Sequence, residues 1–163
     1  MGPAGPPKVG ASVGGVARLL IVHHSPTDHL GRLTEAVVEG ANQPEIEGVD
    51  VTVRPALEAT LEDALAADGY LLGTPANLGY MSGALKHFFD STYNGCLEVT
   101  GGRPWGLWIH GATDTTGARL AVEKVVTGLG WRRVAEPVEL IGSEADELDR
   151  CFELGAVVAA STG

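Results

Sequence analysis

The chain is short of the residues that several protein classes depend on. Only two cysteines occur in 163 residues, Cys96 and Cys151, in different segments and without C-x-x-C spacing. This excludes a disulfide framework, reads as two free thiols and suits a reducing cytoplasm. No apolar run approaches the roughly 18 residues of a transmembrane helix. The N-terminus lacks the basic start and apolar stretch of a secretory leader. Membrane insertion is therefore not expected. Lys and Arg number 11 against 21 Asp and Glu, a formal net charge of −10. So few cations disfavour sequence-independent binding of nucleic acid, which needs them to neutralise phosphates, and docking on anionic membranes. Three catalytic fingerprints are missing as well: G-x-G-x-x-G after the first strand, G-x-x-x-x-G-K-[ST], and the G-x-S-x-G nucleophile elbow. The glycines of residues 10–15 precede the first strand, where a dinucleotide fingerprint has no function. No internal repeat is visible.

What is present suffices for one domain. The chain is 44% hydrophobic, and its length is that of a single domain of about 100–200 residues. Eight of the first fifteen residues are Gly or Pro, so residues 1–15 are expected to be a flexible extension and residues 16–163 the domain. Along that domain, continuous or period-2 apolar runs alternate with period-3.6 runs. Strands are expected at Arg18–His23, Val49–Arg54, Gly69–Gly73, Trp105–His110 and, weakly, Pro137–Ile141. Each is followed by a helical pattern, such as Leu30, Leu33, Val37, Val38 and Ala41 after the first. Five β/α units imply a parallel sheet with helices on both faces. The first, third and fourth strands are apolar throughout, as fully buried strands are; the second alternates and the fifth is interrupted by Glu139. That pattern puts the second and fifth strands at the edges, the order 2-1-3-4-5, with a ligand expected beyond the strand ends at the switch between strands one and three.

Three loops converge on that edge. The first, residues 24–30, leads into a helix whose unpaired N–H groups and partial positive charge suit a phosphate. Ser25, Thr27 and His29 add donors there, although Ser25 or Thr27 equally serves as an ordinary helix cap, with Pro26 at the first helical position. The second loop, residues 73–83, is rich in small and turn-forming residues. Its glycines allow a flat ligand to approach closely, Asn77 offers both donor and acceptor, and Tyr80 an aromatic face. The third, residues 110–117, offers backbone amides to the edge of a heterocycle, or simply a cap at Asp114, Thr115 or Thr116. His23 and His24 are successive strand residues whose side chains point to opposite faces. That splits the set His23, His24, Asp28 and His29 and argues against a metal centre. Ser25 with His29 would be a hydrolase pair, but without the nucleophile elbow.

The run from Gly73 through Thr74-Pro75-Ala76-Asn77-Leu78-Gly79-Tyr80-Met81-Ser82-Gly83 to Lys86, with Phe88, Phe89 and Asp90 beyond it, resembles the NADPH-dependent FMN reductase and WrbA-like quinone reductase branch of the flavodoxin superfamily. Ser25–Leu30 resembles the phosphate loop of that branch, and Gly102-Arg103-Pro104 the Gly-Lys-Pro that commonly precedes its fourth strand. The resemblance spans about residues 18–142. It implies a flavodoxin-like sandwich that binds FMN, with NADPH or NADH as electron donor, a quinone-like or other small acceptor, and a homo-oligomer. It implies that Ser25, Thr27, Asp28, His29 and Leu30 surround the phosphate. Pro75, Ala76, Asn77, Leu78, Gly79 and Tyr80 would line the isoalloxazine and ribityl chain, and His110, Gly111 and Ala112 would close the pyrimidine side. Tyr80 and His110 are the candidates for stacking or proton supply. The alternative is a flavodoxin-like electron carrier or an FMN-holding protein without catalysis, and a further one is a relative that binds no flavin. There are departures. Asp28 replaces the glycine of the phosphate loop, Asn77-Leu78 replaces an Arg-Phe pair, and the third loop is poorer in glycine. The Thr-x-Thr-Gly-x-Thr loop of flavodoxins is missing, which weakens the carrier reading.

Overall fold

The computed structural model of the chain describes residues 15–163. The expected extension at residues 1–15 thus lies outside the described residues except for Gly15. Within them run β1 (Ala17–His23), α1 (Asp28–Ala41), β2 (Val49–Pro55), α2 (Leu61–Ala66), β3 (Gly69–Asn77), β4 (Tyr80–Met81), α3 (Gly83–Cys96), β5 (Pro104–Gly111), α4 (Thr116–Leu129), β6 (Arg132–Arg133), β7 (Val138–Ile141) and α5 (Glu147–Thr162).

Strands β2, β1, β3 and β5 pair in that order, all parallel. The outer side of β5 is covered in two pieces: β6 pairs with its start at Pro104 and Trp105, and β7 with its end from Trp108 to Gly111. The expected order 2-1-3-4-5 is therefore present, with its fifth position divided by residues 134–137. Pro137 carries no N–H for a ladder bond, so a strand cannot run unbroken through that stretch. One element departs from the sequence expectation. Strand β3 does not stop at Gly73 but continues to Asn77, and β4 folds back on it antiparallel, Ala76 opposite Met81 and Asn77 opposite Tyr80. Much of the anticipated eleven-residue loop is thus a tight hairpin.

The alternation of side chains sorts the core into two layers. Leu20, Val22, Leu72, Leu107 and Ile109 face α2, α3 and α4, where Ala64, Phe88, Phe89, Val122 and Val126 meet them. Leu19, Ile21, Leu71 and Trp108 face α1 and α5, against Leu33, Val37, Cys151, Leu154 and Val158. Burying a side chain such as Leu33 completely contributes about 1.5–3 kcal/mol. Both cysteines are buried and free, and burial raises the Cys151 thiol to about 12, which leaves it unreactive. No helix among the described residues is long and apolar enough to cross a membrane.

Helices α1 and α5 touch backbone to backbone. A Cβ at Gly155 would collide with the Val37 carbonyl, and one at Gly40 with the Phe152 carbonyl. By contrast, a Cβ at Gly31, on the same helix α1, would meet open space. The two glycines therefore predict opposite signs. Gly155→Ala is expected to lower stability by about 1–3 kcal/mol, because the helices must separate. Gly31→Ala is expected to raise it by about 0.5–1 kcal/mol through helix propensity. Urea unfolding midpoints at constant slope measure both.

Candidate active site at the carboxyl ends of the strands

The parallel register fixes which residues meet at this edge. His23 lies opposite Gly73 on β3, and Pro75 opposite His110 on β5. From these strand ends the three sequence-singled loops depart.

At the end of β1 the chain turns through residues 24–27 into α1. Thr27 is the cap: its hydroxyl accepts from the Leu30 N–H at 3.2 Å. Pro26 lies outside the helix, which begins at Asp28. The first N–H groups of a helix have no partner within it, so with Leu30 capped, those of Asp28 and His29 have no hydrogen-bond partner among the described residues. Leu30 itself is a core side chain. Asp28 and Thr27 are exposed. Ser25 does not pair with His29. Its Oγ lies 2.8 Å from His23 Nδ1 and 2.7 Å from Thr34 Oγ1, a short polar chain joining the strand end to the second turn of α1. Burial pushes the His23 imidazolium below its ordinary value of 6.5, with His24 acting in the same direction and Glu58 opposing. Beside this chain, a groove of about 460 Å³ opens between α1 and β2, lined by His23, Ser25, Thr34, Val38 and Val53 among others.

His29 turns toward the start of α5. Its Nε2 lies 2.8 Å from Glu147 Oε2, and since a carboxylate only accepts, this nitrogen carries the proton. Burial pushes the Glu147 carboxyl up. The Glu144 N–H, the His29 hydrogen bond and the charges of His29 and His110 outweigh it and leave the carboxyl below its ordinary 4.5. The His29 ring also meets His110 edge-on, with centroids 4.7 Å apart. His110 Nε2 lies 2.7 Å from the Gly142 carbonyl and therefore donates to it, so its Nδ1 is the nitrogen left for other partners. The first and third loops thus meet through two imidazoles.

The hairpin forms the remaining wall. Its base is held by Thr74, whose hydroxyl donates to the Pro75 carbonyl and accepts from Ser82 N–H. Its tip is Leu78-Gly79, both at positive φ, 51° and 74°. This is the backbone that a two-residue hairpin turn requires and that Asn-Gly fills best. Leucine there is strained and is also fully exposed, as are Asn77 and, less completely, Tyr80. Pro75 is buried and Ala76 half-buried. The tip rests on α4, where a Cβ at Gly117 would strike the Gly79 carbonyl. Gly111 closes the corner between hairpin and third loop, with space for a Cβ already filled by Asp114 O, the Thr115 methyl and Ala76. Ala112 is exposed beside it. Asp114 accepts from Thr116 N–H and hydroxyl, which hold its carboxyl below the usual range. Thr115, at the cap position, makes no cap bond and instead donates to Glu139 at 2.8 Å.

The structure therefore gathers the three loops at one edge. It also brings in Glu147 and Gly142, which sequence reasoning did not single out. An acidic residue in the first turn of a helix is a readable signal, but its pairing with a histidine 118 residues away is not. Among the described residues no three His, Cys, Asp or Glu side chains converge as metal ligands do.

No family model matches the chain. It is 37% identical over 75 residues to a flavodoxin of Aquifex aeolicus, 46% of this chain and 40% of that protein. It is 32% identical over 120 residues to an NAD(P)H dehydrogenase (quinone) of Syntrophus aciditrophicus, 58% of this chain and 52% of that one. The chain thus spans about half the length of the curated relatives it matches. Among solved structures, an archaeal flavodoxin superposes with a TM-score of 0.73 at 17% identity, over 89% of this chain and 98% of its own. A WrbA-like protein from Agrobacterium tumefaciens gives 0.68 at 21%, over 90% and 97%. The fold is flavodoxin-like, and these likenesses are consistent with the resemblance to the WrbA-like branch.

The His29–Glu147 contact sets a pH dependence. A carboxyl held below its unfolded value contributes stability that is complete above that value and is lost as pH falls through the folded one. Glu147→Gln is thus expected to reduce the loss of thermal midpoint on acidification below about pH 4.5. Melting curves of both proteins between pH 3 and 7, about the range over which carboxyl groups titrate, measure it; parallel curves would show that the contact carries no linkage.

Proposed function

We propose that the chain is an FMN-dependent oxidoreductase that passes reducing equivalents from NADPH or NADH to a quinone-like or other small acceptor. The observation that carries this reading is the meeting of three loops at one sheet edge. An open helix start, a small-residue hairpin and a Gly111 corner lie together at that edge. The similarity to NAD(P)H dehydrogenases (quinone) supports the same reading.

The residues present fit the cofactor. The open N–H groups of Asp28 and His29, with Ser25 and Thr27, would hold the phosphate, and Leu30 fixes the helix behind them. The hairpin from Pro75 to Tyr80 would lie against the ring and ribityl chain. Gly111 lets the third loop close on Ala76 of the hairpin, and Ala112 and His110 would flank the ring. Bound FMN would supply the redox chemistry, hydride transfer from the nicotinamide and electron delivery to the acceptor. The chain's own part is to orient the ring, shield one face with the hairpin and hold protons. His110 Nδ1 is the free nitrogen of a ring already fixed by Gly142, and so is placed to give or take a proton at the crevice. Asp28 is exposed and directs no charge into the core. A homo-oligomer in the cytoplasm, with neither nucleic acid nor membrane as partner, completes the proposal.

A second reading, an electron carrier between proteins, is favoured by the similarity to the Aquifex aeolicus flavodoxin and by the net charge of −10, which would steer the chain to basic partners. One experiment separates the two. The purified chain, loaded with FMN, is mixed anaerobically with NADPH or NADH and then with a quinone. A reductase bleaches and recolours, and His110→Ala is expected to slow turnover roughly 10²-fold with FMN still bound. A yellow protein that neither nucleotide bleaches is a carrier, and one that never takes up FMN defeats both readings.

A further inference from the structure

Residues 23–31, around the start of α1, contain no Lys or Arg and do contain Asp28, so this loop itself supplies no fixed cation to a dianionic phosphate. The polar chain at the end of β1 supplies an alternative. We infer that His23 is the positioning residue of the phosphate loop: through Ser25 it releases a hydroxyl proton toward the incoming phosphate, and it takes up a proton as the phosphate binds. This rests on the FMN reading above.

The argument follows from counting hydrogens. Ser25 has one. Its oxygen lies 2.8 Å from His23 Nδ1 and 2.7 Å from Thr34 Oγ1. While Nδ1 is bare, it accepts the Ser25 proton, and Thr34 can donate to the Ser25 oxygen. The hydroxyl then has nothing to offer an anion. Once Nδ1 carries a proton it donates to Ser25, whose own O–H is free to turn outward; a neutral ring with its hydrogen on Nδ1 would do the same without proton uptake, and the titration below separates the two. The groups that face His23 decide when this happens. Burial and His24 oppose the imidazolium, and Glu58, from the loop after β2, favours it. Glu35 and Glu39 of α1 line the same groove, while β3 presents only Gly73 opposite. In the absence of an anion burial prevails, and an arriving dianion adds to Glu58 and reverses the balance. The counter-charge comes from solvent as one proton, and it is placed on the ring that also orients the donor.

Thermodynamic linkage makes this measurable: if phosphate binding takes up a proton, affinity must fall as pH rises. The FMN-free full chain is titrated with FMN and with riboflavin, which lacks the phosphate, by calorimetry in two buffers of different ionisation heat. Measurements run from about pH 6.5 to 8.5, above the second phosphate ionisation near 6. FMN is expected to take up as much as one proton, and its Kd to rise by up to about tenfold per pH unit. Riboflavin should show neither effect. Residual ionisation of the phosphate would act in the opposite sense, tightening binding as pH rises. In His23→Asn the amide donor stands in for a protonated Nδ1. FMN is then expected to bind without proton uptake and with a flat pH profile, still in preference to riboflavin. His29→Gln, whose ring is engaged by Glu147, should keep the uptake. FMN binding without proton uptake in the unaltered chain, or uptake that persists in His23→Asn, overturns the role of His23 and leaves the FMN reading standing. Failure of both FMN and riboflavin to bind at any pH defeats the FMN reading and this inference together.

Discussion

The parallel hydrogen-bond register of β1, β3 and β5 is the constraint on which the site depends. Parallel strands need crossovers, and right-handed crossovers return every helix start to the same edge of the sheet. Setting His23 opposite Gly73 and Pro75 opposite His110 then decides which loop tips can meet. A slip of one residue would exchange the two faces of a strand. His23 would leave α1 for the opposite layer, and His110 would leave His29 and Gly142. The chemistry at the edge is therefore set by the packing of Leu19, Ile21, Leu71 and Trp108, which hold the register from within the core.

Much of this was legible in the residues. Continuous apolar runs marked the three central strands, and the alternation of Val49, Val51 and Val53 marked the edge, because strand burial writes itself into local hydropathy. The helix periodicities of α1 and α4 were equally plain. What escaped notice depended on fine backbone geometry or on distant pairing. The hairpin of β3 and β4 turns on Leu78-Gly79, where leucine occupies a conformation that its type disfavours, so the turn-forming residues of this stretch pointed to a loop but not to a two-residue turn at that position. The pairs His29–Glu147 and His110–Gly142 join segments far apart in sequence. Ser25 showed the limit most clearly. As a residue type it suited a cap, a phosphate donor or a nucleophile, and only its neighbours His23 and Thr34 show where the hydroxyl points.

The acidity of the chain also has local texture. Its cations are largely committed elsewhere. Arg119 is shared between Glu123 and Glu139, Arg103 holds the Leu65 and Ala67 carbonyls at the end of α2, and Arg150 meets Glu144. Histidines take their place at the strand ends. Near pH 7 an imidazole is a charge that its surroundings can add or withdraw, unlike a guanidinium.

The backbone contact between α1 and α5 has a mechanical consequence. Where Gly40 and Gly155 bring main chain against main chain, no side chain separates the helices, and the packing of Leu33 and Val37 against Cys151, Leu154 and Val158 around these points holds them together. They carry His29 and Glu147 in their first turns, so this close contact also sets the spacing of that pair. The opposite side is a hairpin with an exposed, strained tip seated on α4, where Gly79 closely approaches Gly117. The two walls of this edge thus differ in kind: one is main chain set against main chain, the other a turn propped on a helix.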